Sequence, residues 1–126
     1  ILMISFGLMF AIAAWPPASG LSTLMVDLLF WPLDGAQSLA APESRIVLAI
    51  GGGISAGWGV LVWQIATHVM PTDPATARHI LLRSLFTWFV IDSTCSFLAG
   101  APLNIASNAG FLLLFLWPLW RMERKA

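Results

Sequence analysis

Charged residues are scarce in this chain, and tyrosine is absent from it. Only 10% of the 126 residues are charged, whereas 59% are hydrophobic, and the mean hydropathy is +0.86. A soluble domain has about 25% charged residues, so most of the water-facing surface of such a domain is missing. The composition predicts an integral membrane protein, a single membrane domain over residues 1–126 in contact with the lipid bilayer.

Other absences exclude several classes of function. Six basic and six acidic residues leave no basic excess for binding nucleic acid. The single cysteine, Cys95, excludes an intrachain disulfide and a CxxC redox pair. His68 and His79 have only Asp73 near them, which is too few ligands for a metal site. Because there is also no Ser/His/Asp set, HExxH motif or pair of carboxylates, we expect no enzyme activity, no metal and no cofactor.

Four apolar runs predict an all-α fold, a small polytopic bundle of about four transmembrane helices. The runs are 1–15, 46–67, 80–99 and 103–120. The first is shorter than the about 20 residues that span a bilayer, and it opens on Ile1, so we expect it to continue upstream. A secretory signal is the alternative, since Ala11-Ile12-Ala13 resembles a cleavage site, but no basic segment precedes it.

The segment 19–31 has a different pattern. Its apolar residues recur at helical spacing and its polar residues lie elsewhere on the helical wheel: Leu21, Leu24, Met25 and Leu28 against Ser22, Thr23 and Asp27. The segment is too short to span, so it predicts a short amphipathic helix that lies in the membrane interface or dips partway in. A connector that covers the ends of the other helices is favoured over a membrane-sensing element.

The basic residues predict the orientation. If all four runs cross, one side holds Arg78, Arg83, Arg121, Arg124 and Lys125 and the other holds Arg45. The positive-inside rule then places the loop 68–79 and the basic tail 121–126 in the cytoplasm and the connection 16–45 in the periplasm or exterior. We therefore expect a bacterial inner-membrane protein with both termini cytoplasmic. The outer face would be mildly acidic, because the connection carries Asp27, Asp34 and Glu43.

The second run is rich in glycine. In lipid, small residues four apart let neighbouring helices approach closely. Four pairs fit this spacing: Gly51/Ser55, Gly52/Ala56, Gly53/Gly57 and Ser55/Gly59. Nearly every face of this helix therefore offers a groove for helix packing. Phosphate binding is excluded, because no GK[ST] motif follows and no strand precedes.

Asp92 is a carboxylate inside an apolar run, where a charge is costly. Counting from the helix ends places Asp92, Asn108 and Ser55 in one buried polar layer, roughly 10 Å below the outer boundary. Ser96 and Asn104 lie one turn nearer the surface. The favoured interpretation is that this polar cluster fastens the helices by hydrogen bonds. The alternative is a proton or cation site, but no further acid or histidine is present to relay a proton.

Most tryptophans lie near the ends of the runs, as interfacial anchors do. Trp58 and Trp88 instead lie near the bilayer centre at similar depth. Packing is the favoured explanation, and contact with a lipid, quinone, pigment, sterol or neighbouring subunit is the alternative. Arg83 lies opposite Asp92 on its helix and is expected to reach the cytoplasmic headgroups.

Two functions remain. The first is a noncatalytic small subunit, or an assembly or stabilising factor, of a larger membrane protein complex, respiratory or photosynthetic in kind. A thin bundle with a groove-rich second helix offers surfaces for other membrane subunits. The alternative is a minimal oligomeric transporter or channel that uses Asp92 as its proton or cation site.

Overall fold

The computed structural model describes the backbone of residues 1–123 and the side chains of residues 1–120, so the predicted basic tail, 121–126, lies outside the described side chains. Five α-helices follow in chain order: α1 Leu2–Ala11, α2 Gly20–Phe30, α3 Pro42–Gln64, α4 Pro74–Leu98 and α5 Pro102–Glu123. Short 3-10 turns cover Ile12–Ala14 and Pro16–Ala18, and a π-helical segment, Ile65–Val69, extends α3. This part of the chain is all-helical.

Three helices in the described residues are long and apolar enough to cross a membrane: Pro42–Val69, Pro74–Leu98 and Pro102–Trp120. They cover the last three predicted runs, so the prediction of a helical membrane protein is confirmed in that respect. The first run forms a shorter apolar helix, Leu2–Ala14, because Pro16 and Pro17 cannot continue it. The structure therefore shows three such helices where the sequence predicts about four.

Each of the three long helices begins with a proline, Pro42, Pro74 or Pro102. Proline suits the first helical position because its fixed φ is helical and its missing N–H would have no partner there. Asp73 caps α4, since its side chain accepts a hydrogen bond from the amide of Thr76 at 3.0 Å. Hydrogen bonds from the side chain and then the amide of Thr76 hold the pKa of Asp73 below its ordinary value.

The closest helix pair is α1 with α3. Gly52 faces α1, and a Cβ atom added to it would lie 2.5 Å from both the amide nitrogen of Ala11 and the carbonyl oxygen of Gly7. Further along α3, a Cβ on Gly59 would lie 2.8 Å from Ile4 Cγ1. Since Gly59 meets Ile4 and Gly52 meets Ala11, the two helices run antiparallel. Glycine is what lets their backbones touch.

A second antiparallel pair is formed by α4 and α5, which a short turn at Gly100 connects. Gly100 has φ +74°, which glycine adopts without strain. The buried apolar core joins this pair to the π-helical end of α3 and consists of Ile65, Ala77, Leu81, Leu85, Leu112, Leu116 and Leu119. The core therefore lies at the end of the bundle opposite the Gly100 turn.

The helix α2 lies where the sequence predicts a short helix, but its polar residues face the protein. Ser22 is fully buried and donates its hydroxyl to the carbonyl oxygen of Met9 at 2.9 Å. Leu21 and Leu24 are exposed, at 58% and 49%. The structure therefore confirms a short helix in this segment, with Ser22 facing the protein and Leu21 and Leu24 facing outward; its predicted place in the membrane interface stays a prediction. The hydroxyl of Ser22 thereby supplies a donor to a carbonyl group in the last turn of α1.

The segment between α2 and α3 is held by two charged side chains. Asp27 is 4% exposed, and its two carboxylate oxygens accept hydrogen bonds from the amides of Gly35 at 3.0 Å and Gln37 at 3.4 Å. Arg45, near the start of α3, donates to the carbonyl oxygens of residues 39–40 at 2.8 and 2.5 Å. These residues are therefore structural parts of the connection, although the sequence presents them as surface charges.

Candidate functional site

Asp92 belongs to a polar cluster, Asp92, Ser96 and Asn104, that joins α4 to α5 near the Gly100 turn. The half-buried Asp92 accepts a hydrogen bond at Oδ1 from the side-chain amide of Asn104 at 3.3 Å. The same amide donates to Ser96 Oγ at 2.7 Å. The Ser96 hydroxyl donates to the carbonyl oxygen of Asp92 at 2.7 Å and lies 3.4 Å from Oδ1. The carboxylate therefore has local hydrogen-bond partners on both helices.

A second polar contact lies between the same helices. Asn108 is 3% exposed and donates to Ser93 Oγ at 3.3 Å. Asn108 does not reach Asp92, although the sequence puts the two at similar depth. Ser55, the third member of the predicted layer, is half-buried on α3 and makes no hydrogen bond to these residues.

Depth counting gives the level of a residue and leaves its rotation about the helix axis open. Reflecting the chain about Gly100 pairs Asn108 with Asp92, whereas in the structure Asn108 donates to Ser93, the next residue along α4. Ser55 fails to join because α3 packs its backbone most closely against α1, not against α4 or α5. Among the described neighbours, Asp92, Ser93 and Ser96 of α4 thus form their interhelical hydrogen bonds with α5 alone.

The polar cluster holds α4 and α5 together by hydrogen bonds. Asn104 turns its amide N–H groups towards Asp92 and Ser96, so its donors, not its carbonyl oxygen, face the carboxylate. Such an arrangement suits an anion already satisfied by the protein. Among the described residues, no group of three or more His, Cys, Asp or Glu side chains is placed to hold a metal ion.

The two central tryptophans meet across α3 and α4. The ring centroids of Trp58 and Trp88 are 5.8 Å apart, and the ring planes are inclined at 51°, an ordinary distance for an aromatic pair. Together with Arg83, Ser84 and Thr87 they line an open groove of about 410 Å³. We call it the Trp58–Trp88 groove.

The four α4 residues of this groove are 83, 84, 87 and 88, a spacing that puts them on one helix face. That spacing is visible in the sequence. From the sequence, Arg83 is nevertheless considered alone, as a residue that reaches the headgroups, and is not connected with the other three. A smaller cavity of about 280 Å³ shares Trp58 and Ser84 with the groove. Its other walls are mainly apolar side chains of α3, α4 and α5.

A third feature is a face of α3 that contacts nothing in the described part of the chain. Gly53 and Gly57 are exposed, and a Cβ atom added to either would have no neighbour within 4 Å. The pair has the same four-residue spacing as Gly52 and Ala56, which pack against α1. We call Gly53 and Gly57 the open glycine face. Gly51 is likewise open.

No protein-family model, curated protein or solved structure matches this chain. A proposal for its function therefore depends on the polar cluster, the Trp58–Trp88 groove and the open glycine face. These three features lie on the long helices, α3 to α5, which are long and apolar enough to cross a membrane.

Proposed function

We propose that this protein is a noncatalytic subunit, or an assembly or stabilising factor, of a larger membrane complex, respiratory or photosynthetic in kind. The observation that carries the proposal is the contrast between two faces of α3. One small-residue face, at Gly52, holds α1 by close backbone contact, whereas the open glycine face meets no described residue. A helix of another subunit fits that face as α1 fits its own.

Two physical arguments support a protein partner on this face. Each glycine weakens a helix interior by about 1 kcal/mol relative to alanine, so two open glycines are unfavourable unless something packs there. In lipid, helices associate mainly through close van der Waals packing at small residues. Most of α3 must find its contacts outside the chain, because only 11% of its most apolar segment is buried within the chain.

The polar cluster supports a structural role as well. Its donors and acceptors satisfy one another between α4 and α5, which stabilises the pair by about 0.6 to 2 kcal/mol per bond. Asp92 thereby has a role that requires no transported ion.

The proposed membrane arrangement counts α1 as a fourth crossing segment. Its antiparallel packing on α3 is what consecutive spans would have. With the positive-inside rule, the loop 68–79 and both termini then face the cytoplasm of a bacterial inner membrane. The exposed leucines of α2 and Trp31, which is 61% exposed, suit a helix at the outer interface.

Gly57→Leu tests the proposal. In mild detergent we expect the native protein to comigrate with larger polypeptides, and Gly57→Leu to migrate without them, because the side chain fills the groove. The purified variant should unfold at the wild-type midpoint or slightly above it, since nothing lies within 4 Å of that position and leucine favours a helix over glycine.

Ile54→Phe is the matched control for Gly57→Leu. It adds bulk to a side chain of α3 that is already large and 68% exposed, so comigration should persist. Migration of the wild-type protein alone or as a homodimer would contradict the proposal, as would equal comigration of Gly57→Leu and wild type.

The alternative, a minimal oligomeric transporter or channel around Asp92, has one observation in its favour. Asp92 is half-buried, and both side-chain contacts reach the same oxygen, Oδ1. The other oxygen is left for a proton or a cation. We rank this function second, because Asn104 directs donors towards the carboxylate.

Asp92→Asn separates the two functions. The amide keeps an oxygen that can accept from Asn104, so we expect the complex to assemble and the free energy of unfolding to fall by less than about 1 kcal/mol. Asp92→Leu removes the acceptor and should destabilise the protein by about 1 to 2 kcal/mol. Loss of coupled ion flux in proteoliposomes by a well-assembled Asp92→Asn protein would support the transporter instead.

A further inference from the structure

Arg83 carries a positive charge within a spanning helix, in the half that begins at Pro74. At 1.5 Å per residue it lies about 13 Å from the start of α4 at Pro74 and about 22 Å from its end at Leu98. The groove residues of α4, from Arg83 to Trp88, therefore lie on both sides of the helix midpoint. Charged side chains at this depth are rare, and they almost always face a protein interior and have an ionic partner.

No described carboxylate serves as that partner. Arg83 is exposed, and none of the described side chains forms an ion pair with it. Asp92 is nine residues further along α4, on the opposite side of the helix, and is bonded to Asn104. A second copy of this chain in the same orientation would hold its Asp92 about 13 Å away in depth. Within the described side chains, and in a parallel second copy, Arg83 thus has no carboxylate partner.

The groove around Arg83 suits a carboxylate. The planar guanidinium can bind two carboxylate oxygens at once, and the hydroxyl groups of Ser84 and Thr87 line the same groove. Its volume of about 410 Å³ accommodates a side chain beside the two tryptophans. A lipid phosphate would contact only the Arg83 end of the groove, because the groove extends from there to Trp88, towards the bilayer centre.

We infer that the Trp58–Trp88 groove binds a transmembrane helix of a partner protein, and that this helix presents an aspartate or glutamate to Arg83. The inference rests on the proposed function, a subunit of a larger complex, and specifies the chemistry of its partner. Trp58 and Trp88 form the apolar walls beside the ion pair and exclude lipid from it. Arg83 is thus the residue that selects an acidic helix over a neutral one.

The test uses a designed apolar transmembrane peptide with one central glutamate, and the same peptide with glutamine. Each carries an acceptor dye, and the full-length protein carries a donor dye on Cys95, which is exposed and is the single cysteine of the chain. In phosphatidylcholine vesicles we expect energy transfer to report binding of the glutamate peptide at least about tenfold tighter than the glutamine peptide.

Variants of Arg83 test whether this residue causes the preference for the glutamate peptide. Arg83→Gln should bind the two peptides equally, whereas Arg83→Lys should keep part of the preference because it keeps the charge. Equal binding of both peptides by the wild-type protein would overturn the inference. So would an unchanged preference in Arg83→Gln. Stronger quenching of wild-type than of Arg83→Gln tryptophans by brominated phosphatidylglycerol, without a preference among peptides, would assign the groove to an anionic lipid instead.

Failure of this inference can be distinguished from failure of the proposed function. If Arg83→Gln still comigrates with the native partners while Gly57→Leu does not, the protein is a subunit and the groove is not its contact. If the wild-type protein migrates alone and yet prefers the glutamate peptide, the inference about the groove is supported and the proposed function is contradicted.

Discussion

Gly52→Ala is expected to detach α1 from α3, although it adds a single methyl group. That methyl would lie 2.5 Å from the backbone of both Gly7 and Ala11, and backbone atoms cannot move aside as a flexible side chain can. Overpacking in a core costs typically 1 to 3 kcal/mol when side chains can adjust, so we expect a loss of about 3 kcal/mol or more here. Hydrogen exchange in detergent should then rise along α1 and stay unchanged along α4 and α5.

Gly53→Ala is the matched control, one residue away on the same helix. Nothing lies within 4 Å of its added methyl group, so the change acts only through helix propensity. Alanine favours a helix over glycine by about 0.5 to 1 kcal/mol, and the purified variant should be more stable by about that amount. The same substitution at two adjacent positions should thus change the free energy of unfolding in opposite directions. Equal thermal shifts for both would contradict the close contact of α1 and α3.

The glycine run shows what the sequence could predict and what it could not. Small residues four apart predict a groove wherever they occur, and the run offers them on nearly every face of α3. Which face is filled depends on where α1 lies, and that is decided by long-range packing. Gly52 therefore packs against α1 and Gly53 contacts no described residue, although the local sequence is equally rich in small residues at both positions.

The polar residues show the same limit. Hydropathy predicts that Asp92 lies in a spanning helix, and symmetry about the Gly100 turn predicts that α5 is its neighbour. The rotation of α3 is not encoded locally, so Ser55 was expected in a cluster that the structure builds from Ser96 and Asn104. In α2 the periodicity marks a polar side correctly. Periodicity does not say whether that side faces water or the protein, and here Ser22 faces inward.

Asp27→Ala is expected to have the second-largest effect on stability. Asp27 is 4% exposed and ties the end of α2 to the following connection through the amides of Gly35 and Gln37. Hydrogen bonds to a charged acceptor contribute about 1.5 to 3 kcal/mol, so the free energy of unfolding should fall by about 2 to 3 kcal/mol. The amides of Gly35 and Gln37 should exchange faster with deuterium, because each loses its acceptor.

Asp34→Ala is the control that isolates the buried carboxylate from the loss of one negative charge. Asp34 lies in the same connection and accepts a hydrogen bond from the amide of Ala36 at 3.0 Å, but it is exposed. We expect it to change stability by less than about 0.5 kcal/mol, as surface substitutions do. If exchange at Gly35 and Gln37 rises equally in both variants, Asp27 acts only as a surface charge. A rise confined to Asp27→Ala would show that an acidic residue of the predicted outer face is instead the anchor of the connection into α3.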